Sequence, residues 1–330
     1  MSTKQIDILN IGLILLSGVL AYLFPLELFI LAFAILGPLH YLTEINWLDT
    51  KQYFTKSNRL IWLSIGIVAT TIIVGPKLYF EAFGRTDSQV SKVIEFLDAW
   101  SNGAIFISFI LSIGFLFAKK KLVWLILIIV GIVGAVLFNG LEIYGLSVGL
   151  LIPTVIHVYL FTLLFMLYGT KKSKSKWGYL SIALAVLVPV VIIFIQIDNQ
   201  AYLFADSLKD NYIESGFHVL PVRLGEMIGA SDGTTFFFYE DLELRLMMFL
   251  SFIYMYHYLN WFSKTTKIEW HKNLTFKRSL VILLLWIGML LLFYIDFSLG
   301  FIVALFFSFL HVILEFPLNM ASIKALFTKS

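Results

Sequence analysis

The chain has 330 residues, of which 60% are hydrophobic and only 14% are charged, and its mean hydropathy is +0.90. A soluble domain of this size cannot have so little charge on its surface, so the composition excludes a soluble protein. Cysteine is absent, which excludes disulfides, thiolate metal sites and catalytic thiols. The net charge of +3 comes from basic residues in loops and indicates no nucleic-acid partner. The composition predicts an all-α, polytopic integral membrane protein.

Ten apolar runs, each of roughly 18–23 residues, are long enough to cross a hydrocarbon core about 30 Å thick. The first is followed at once by the second and has no defensible cleavage site, so we interpret it as a retained helix rather than a signal peptide. These runs predict about ten transmembrane helices in a single domain, residues 1–330. They lie at about 6–24, 26–46, 60–80, 99–118, 121–139, 146–168, 177–196, 242–263, 277–296 and 298–320.

The basic residues predict the orientation of these spans. With ten spans, 18 of the 24 Lys and Arg residues lie on one side, whereas the loops on the other side are rich in Asp and Glu. The positive-inside rule therefore places both termini in the cytoplasm, and we expect the bacterial inner membrane. The 18 residues are Lys4, Lys51, Lys56, Arg59, Lys119, Lys120, Lys121, Lys171, Lys172, Lys174, Lys176, Lys264, Lys267, Lys272, Lys277, Arg278, Lys324 and Lys329.

Two segments between spans have distinct patterns. The connection at about 198–241 is long enough to be a lid or a docking surface, and His218 within it is expected to be a solvent-exposed loop residue. Asp87–Trp100 alternates charged residues with apolar ones, which predicts an amphipathic helix on the bilayer surface. His271 also lies in a loop between spans.

The other four histidines lie inside apolar runs. His40, His157, His257 and His311 are on spans 2, 6, 8 and 10, which all run in the same direction in the predicted topology. Their depths in the membrane are similar when residues are counted from the outer end of each span. With the rise per residue of an α-helix, the four depths differ by about 6 Å at most. Four imidazoles at one level can share a metal ion, and we predict that these four bind one.

Two carboxylates follow at helical spacing. Glu44 and Glu315 lie four residues after His40 and His311, so each shares a helix face with its histidine. An ionisable group in hydrocarbon costs at least about 2.5–3.5 kcal/mol, which makes intramembrane His and Glu candidates for function. Each carboxylate is a candidate ligand, hydrogen-bond acceptor for a metal-bound histidine or catalytic base. The alternative is a set of separate hydrogen bonds between helices or a proton relay.

Nitrogen and oxygen ligands without thiolate suit Fe(II), Zn(II), Cu(II) or Mn(II). A site among Phe, Leu and Ile side chains, reached most easily from lipid, favours an apolar small-molecule substrate. The chain has no Walker or Rossmann glycine pattern and no zinc-protease His-Glu-x-x-His motif. Nothing in the sequence defines the oligomeric state.

A histidine after a Gly-Pro turn, at Gly37-Pro38-Leu39-His40, and further histidines on later spans resemble the bacterial Brp/Blh family of membrane carotene dioxygenases. The Pro-His-Gly motif of that family is replaced here by Pro38-Leu39-His40. The resemblance implies that His40, His157, His257 and His311 bind non-haem Fe(II), and that the substrate is a carotenoid or a similar lipid cleaved with oxygen.

Three other classes of protein remain compatible with the sequence. An intramembrane zinc lipid hydrolase would use a metal-bound hydroxide, with Glu44 or Glu315 as its general base. A b-type haem protein would need only two facing histidines. A transporter coupled to protons or metal ions would use the same residues as a relay, although the chain shows no inverted repeat or pair of broken helices.

Overall fold

The computed structural model describes residues 1–51 and 59–327, which are helical and contain no strand. Two of the basic residues used to predict the orientation, Lys56 and Lys329, lie outside these ranges. The helices are α1 (Thr3–Leu23), α2 (Pro25–Leu31), the π-helix π1 (Ala32–Leu36), α3 (Gly37–Lys51), α4 (Arg59–Phe83), α5 (Gln89–Ala99), α6 (Ser101–Phe117), α7 (Lys121–Phe138), α8 (Glu142–Tyr144), the π-helix π2 (Gly145–Phe161), α9 (Thr162–Ser173), α10 (Lys176–Phe194), a 3₁₀ turn (Asn199–Ala201), α11 (Asp206–Glu214), α12 (Val219–Met227), α13 (Asp241–Ser263), α14 (Thr265–Ile268), a second 3₁₀ turn (Trp270–Asn273), α15 (Phe276–Ile295) and α16 (Phe297–Phe327).

Within the described ranges, eight helices are long and apolar enough to cross a membrane. The number is nine if α5 and α6, which are bent by 44° relative to each other, form one span. These helices are consistent with a polytopic membrane protein, and the count of about ten stays a prediction. The span predicted at 242–263 forms a continuous helix, α13, but its Tyr, His and Asn residues make it less apolar than the other eight.

Local signals account for several helix ends. Ser2 caps α1 by accepting a hydrogen bond from the Gln5 backbone, while the Gln5 side chain accepts one from the Ser2 backbone N–H. Ser175 caps α10 in the same manner through Gly178 N–H. Helix α4 ends before Gly84, whose φ of +68° is accessible to glycine without a steric penalty.

Contacts divide the chain into two compact units, which we call the first and second units. The first consists of Met1–His40, Val158–Lys272 and Phe293–Ser298, and the second of Tyr41–His157, Asn273–Leu292 and Leu299–Ser330.

Helix α13 forms the buried centre of the first unit, and α1 and α2 pack against it. Polar side chains join α1 to α13: Asn10 donates a hydrogen bond to Ser263 Oγ at 3.1 Å, and the Tyr256 hydroxyl donates to Asn10 Oδ1 at 3.2 Å. Interhelical hydrogen bonds of this kind compensate for the loss of water around polar groups in an apolar environment.

In the second unit, helices α4, α6 and α16 contribute to one apolar core. The Trp62 indole on α4 donates a hydrogen bond to the Leu314 carbonyl on α16 at 3.2 Å. Gly66 allows close packing, since a Cβ atom there would lie 3.1 Å from Leu314 and 3.2 Å from Leu310. These contacts hold the part of α16 that carries His311.

Two π-helical segments affect the helices that carry predicted metal ligands. π1 ends immediately before α3, which carries His40, and π2 contains both Pro153 and His157. Proline removes a backbone donor and its ring clashes with the preceding turn, so the backbone around Pro153 cannot form a regular α-helical ladder. The wider turn changes the direction in which His157 points relative to an α-helix, and π-segments occur frequently at functional sites.

The connection predicted at 198–241 is a folded segment that contains α11 and α12, and its role as a lid remains a prediction. The expectation that His218 is solvent-exposed was wrong, because this side chain is half-buried and its ring centroid lies 6.2 Å from that of Phe236. His271 is exposed as expected. A helix also forms within Asp87–Trp100, as α5.

Candidate metal centre

In the first unit, His40 on α3 and His257 on α13 form a pair. Their Nε2 atoms are 3.1 Å apart, and their rings lie nearly perpendicular at 76°. Behind His257, the Thr162 hydroxyl lies 2.8 Å from Nδ1 and also donates a hydrogen bond to the Val158 carbonyl at 2.8 Å. His40 is buried and His257 is half-buried.

The Thr162 contacts define the tautomer of His257. A hydroxyl has a single proton, and Thr162 uses its proton in the hydrogen bond to Val158. The Thr162 oxygen must therefore accept a hydrogen bond from His257 Nδ1–H. In a neutral imidazole this leaves the other nitrogen, Nε2, with a lone pair directed at His40.

In the second unit, His157 on π2 and His311 on α16 form an equivalent pair. Their Nε2 atoms are 3.0 Å apart and their rings are inclined by 79°. Here the group behind the ring is a carboxylate, because His157 Nδ1 lies 3.1 Å from Glu315 Oε2. An acceptor oxygen on this side of the ring favours the tautomer with its proton on Nδ1, in which the lone pair of Nε2 faces His311.

Further polar and aromatic groups hold this second pair. The Asn319 amide donates a hydrogen bond at 3.4 Å to the same Glu315 oxygen that faces His157. The carboxyl group of Glu44 lies next to that of Glu315. Tyr41 stacks on His311 with the ring centroids 4.5 Å apart. These groups are buried and restrict the rotation of both imidazoles.

The spacing within each pair fits two ligands on one metal ion. Imidazole nitrogens bind zinc at about 2.0–2.1 Å, so two ligands at a right angle are about 2.9 Å apart and two at the tetrahedral angle about 3.4 Å apart. The observed separations of 3.0 and 3.1 Å lie between these values. In each pair one Nε2–H can donate to the Nε2 lone pair of the other histidine, and a metal ion that replaces this proton would be bound by both nitrogens.

Three of the four predicted histidines belong to a group that could hold a metal: one nitrogen from each of His40, His257 and His311 lies within 4.8 Å of the others. His157 is not part of that group, but its Nε2 is in contact with His311. Glu315 lies behind His157, on the Nδ1 side of the ring, and Glu44 contacts Glu315. His218 and His271 are not part of this group either.

Sequence reasoning missed three residues that position the histidines. Asn319 lies four residues after Glu315, as Glu315 lies four residues after His311, so the three side chains share one helix face. This spacing is visible in the sequence. Tyr41 directly follows His40 in the sequence, and in the structure it is 1% exposed and stacks on His311. Thr162 has no sequence signal, because it contacts a histidine 95 residues away.

Comparison with known proteins gives no match to a family model, a curated protein or a solved structure. The geometry of the histidines is therefore the basis for any functional conclusion.

Proposed function

We propose that this protein is a membrane metalloenzyme in which His40, His157, His257 and His311 bind one metal ion. The observation that carries the proposal is that His157 and His257 each have an oxygen atom beside Nδ1, at 3.1 and 2.8 Å, and a second histidine beside Nε2. Metal-binding histidines usually donate their second N–H in this manner, which sets the tautomer and the ring orientation.

We further propose that the metal is Fe(II) and that the enzyme is a non-haem oxygenase acting on a carotenoid or another apolar lipid, as the resemblance to the Brp/Blh family implies. Iron held by neutral imidazoles would supply the activation of oxygen. The residues of the chain would orient the ligands through Thr162 and Glu315 and exclude water through the buried side chains around them. Glu315 is then a positioning residue rather than a catalytic one.

A zinc-dependent lipid hydrolase is the second candidate. It requires a carboxylate within hydrogen-bonding distance of the metal-bound water. Glu315 faces Nδ1 of His157, the ring atom that points away from the shared Nε2 position, and Glu44 is engaged with Glu315. The position of Glu315 supports a role in orienting His157, and this favours the oxygenase over the hydrolase.

The spacing also disfavours bis-histidine haem. Axial ligands on opposite sides of a haem iron are about 4 Å apart, twice a metal–imidazole bond, with the porphyrin between their rings. The pairs here are 3.0 and 3.1 Å apart. A coupled transporter remains the third alternative, and enzymatic turnover would distinguish it from an enzyme.

The test begins with the protein purified in detergent. Elemental analysis is expected to find iron, with no Soret absorption band, and a His157→Ala, His257→Ala double variant should lose the metal. The matched control is His218→Ala, His271→Ala, which removes two histidines outside the site and should keep it. Full metal occupancy in the first double variant would disprove the site.

Activity is then tested with a polyene lipid, and product formation is expected only when oxygen is present. Product formation under strict anaerobiosis would disprove the oxygenase, and cleavage of an ester or amide lipid by the zinc-loaded protein would establish the hydrolase instead.

We also propose that both termini face the bacterial cytoplasm, as the distribution of basic residues favours. Reporter fusions after Lys174 and Asp210 should lie on opposite sides of the membrane, with Lys174 inside. Reporters on the same side would contradict this topology.

A further inference from the structure

The second unit contains a cavity of about 470 Å³ that the metal centre does not use. Its volume lies within the range of small-molecule sites, roughly 300–1,000 Å³. Most of its wall is apolar and includes Leu63 of α4, Ile282 of α15 and Leu318 of α16. The remaining part of the wall carries charged side chains at the ends of three helices.

The charged part of the wall has an excess of cations. Among the residues that the structure describes, Arg59, Lys277 and Arg278 line the cavity together with a single acid, Asp49. Asp49 already accepts a hydrogen bond from Arg59 Nε at 2.6 Å and lies 3.7 Å from Arg278. Three positive charges and one negative charge leave a net charge of +2 on this part of the wall.

Local structure makes this excess of charge unfavourable in the absence of an anion. Lys277 and Arg278 lie in the first turn of α15, where the partial charge of the helix end is already positive. Thr275 caps this turn by accepting a hydrogen bond from Arg278 N–H. A bound anion would offset the repulsion among the two cations and the helix end.

We propose that this cavity binds an anionic phospholipid, with its phosphate near Arg59, Lys277 and Arg278 and an acyl chain along Leu63, Ile282 and Leu318. The charge selects an anionic head group and the apolar wall selects a chain. The three basic residues belong to the side of the protein that the sequence predicts to be cytoplasmic. Basic pockets between transmembrane helices on that side bind anionic lipid head groups.

The test compares lipid binding by native mass spectrometry of the full-length protein in detergent. Phosphatidylglycerol is expected to bind more tightly than phosphatidylcholine with the same acyl chains. Lys277→Gln should weaken phosphatidylglycerol binding about 5-fold and Arg59→Gln, Lys277→Gln about 30-fold, because each Lys or Arg near the membrane surface contributes about 1 kcal/mol. The matched control is Lys120→Gln, Lys121→Gln, which removes two charges outside the cavity and should bind as the parent does.

Two further measurements distinguish binding of a lipid from binding of a soluble anion. Neither changes Arg59, so the ion pair between Arg59 and Asp49 stays intact in both. Leu318→Trp, which fills the apolar part, should weaken the binding of long-chain phosphatidylglycerol more than that of its short-chain form. Inorganic phosphate should not displace the lipid at millimolar concentration. Equal binding of the two lipids, equal losses in the control variant, or displacement by inorganic phosphate would overturn the proposal.

Discussion

The two histidine pairs have the same inner geometry but different support. The Nε2 atoms are 3.0 Å apart in the His157–His311 pair and 3.1 Å apart in the His40–His257 pair. Both distances fit two nitrogen atoms bound to the same metal ion. The first of these pairs is supported by a buried carboxylate, and the second by a hydroxyl. A carboxylate raises the basicity of the imidazole it contacts more than a neutral hydroxyl does. The comparison indicates that the His157–His311 pair is the stronger part of the proposed site.

The largest effect is expected from removing an imidazole of the carboxylate-supported pair. His311→Ala removes a member of the three-histidine group and the partner of His157, so metal affinity should fall by at least about 100-fold, more than the loss of a supporting residue costs. Isothermal titration of the apo-protein measures the change. The control is His271→Ala, whose side chain is exposed. Unchanged affinity in His311→Ala would exclude this residue as a ligand.

The supporting groups test the comparison directly. Glu315→Ala should lower metal affinity by about 10–100-fold, the range for groups behind a metal-bound histidine. Thr162→Val, which keeps the shape of the side chain but removes the oxygen, should lower it less, since the lost hydrogen bond is neutral. The same titration measures both variants. A larger loss in Thr162→Val than in Glu315→Ala would reverse the ranking of the two pairs.

A smaller effect is expected at Asn319, which contacts Glu315 rather than a histidine. Asn319→Leu should weaken metal binding only a few-fold, because a single neutral donor of about 0.5–1.5 kcal/mol is lost and Glu315 keeps its contact with His157. A double variant with Glu315→Ala should then be no weaker than Glu315→Ala alone. Additive losses would show that Asn319 acts independently of Glu315.

At the end of the helix that carries His257, the expected effect is on the stability of the fold and not on metal affinity. Lys264 follows the end of α13, and its pKa is lowered to about 8, mainly by desolvation, while Asp7 partly offsets the shift. The folded protein therefore releases this proton near pH 8, whereas the unfolded chain keeps it until about pH 10.4. Stability should rise with pH within this window. Thermal unfolding in detergent from pH 7.5 to 10.5 should show the rise in the parent protein, and Lys264→Met should reduce it. An identical pH profile in the variant would exclude Lys264 as its source.

The amino-acid sequence by itself determined the class of the protein and the histidines of interest. Apolar runs long enough to cross a bilayer can be recognised without knowledge of packing, because the free energy of transfer to lipid depends on the side chains of each segment. The absence of cysteine is read directly from the composition. The i and i+4 spacing of His311 and Glu315 was likewise readable, because an α-helix fixes which residues share a face. The exposure of His218 was predicted wrongly because the segment around it folds into helices.

The tertiary structure decided which histidines meet and which group supports each of them. The partner of His157 is 154 residues away in the chain, and the hydroxyl behind His257 is 95 residues away. Residues so far apart meet only through helix packing, which no local periodicity encodes. The π-helix around His157 also points this side chain in a different direction from the one that a regular α-helix would give it. Packing thus determined the position of Glu315 behind His157, where it can orient the ring.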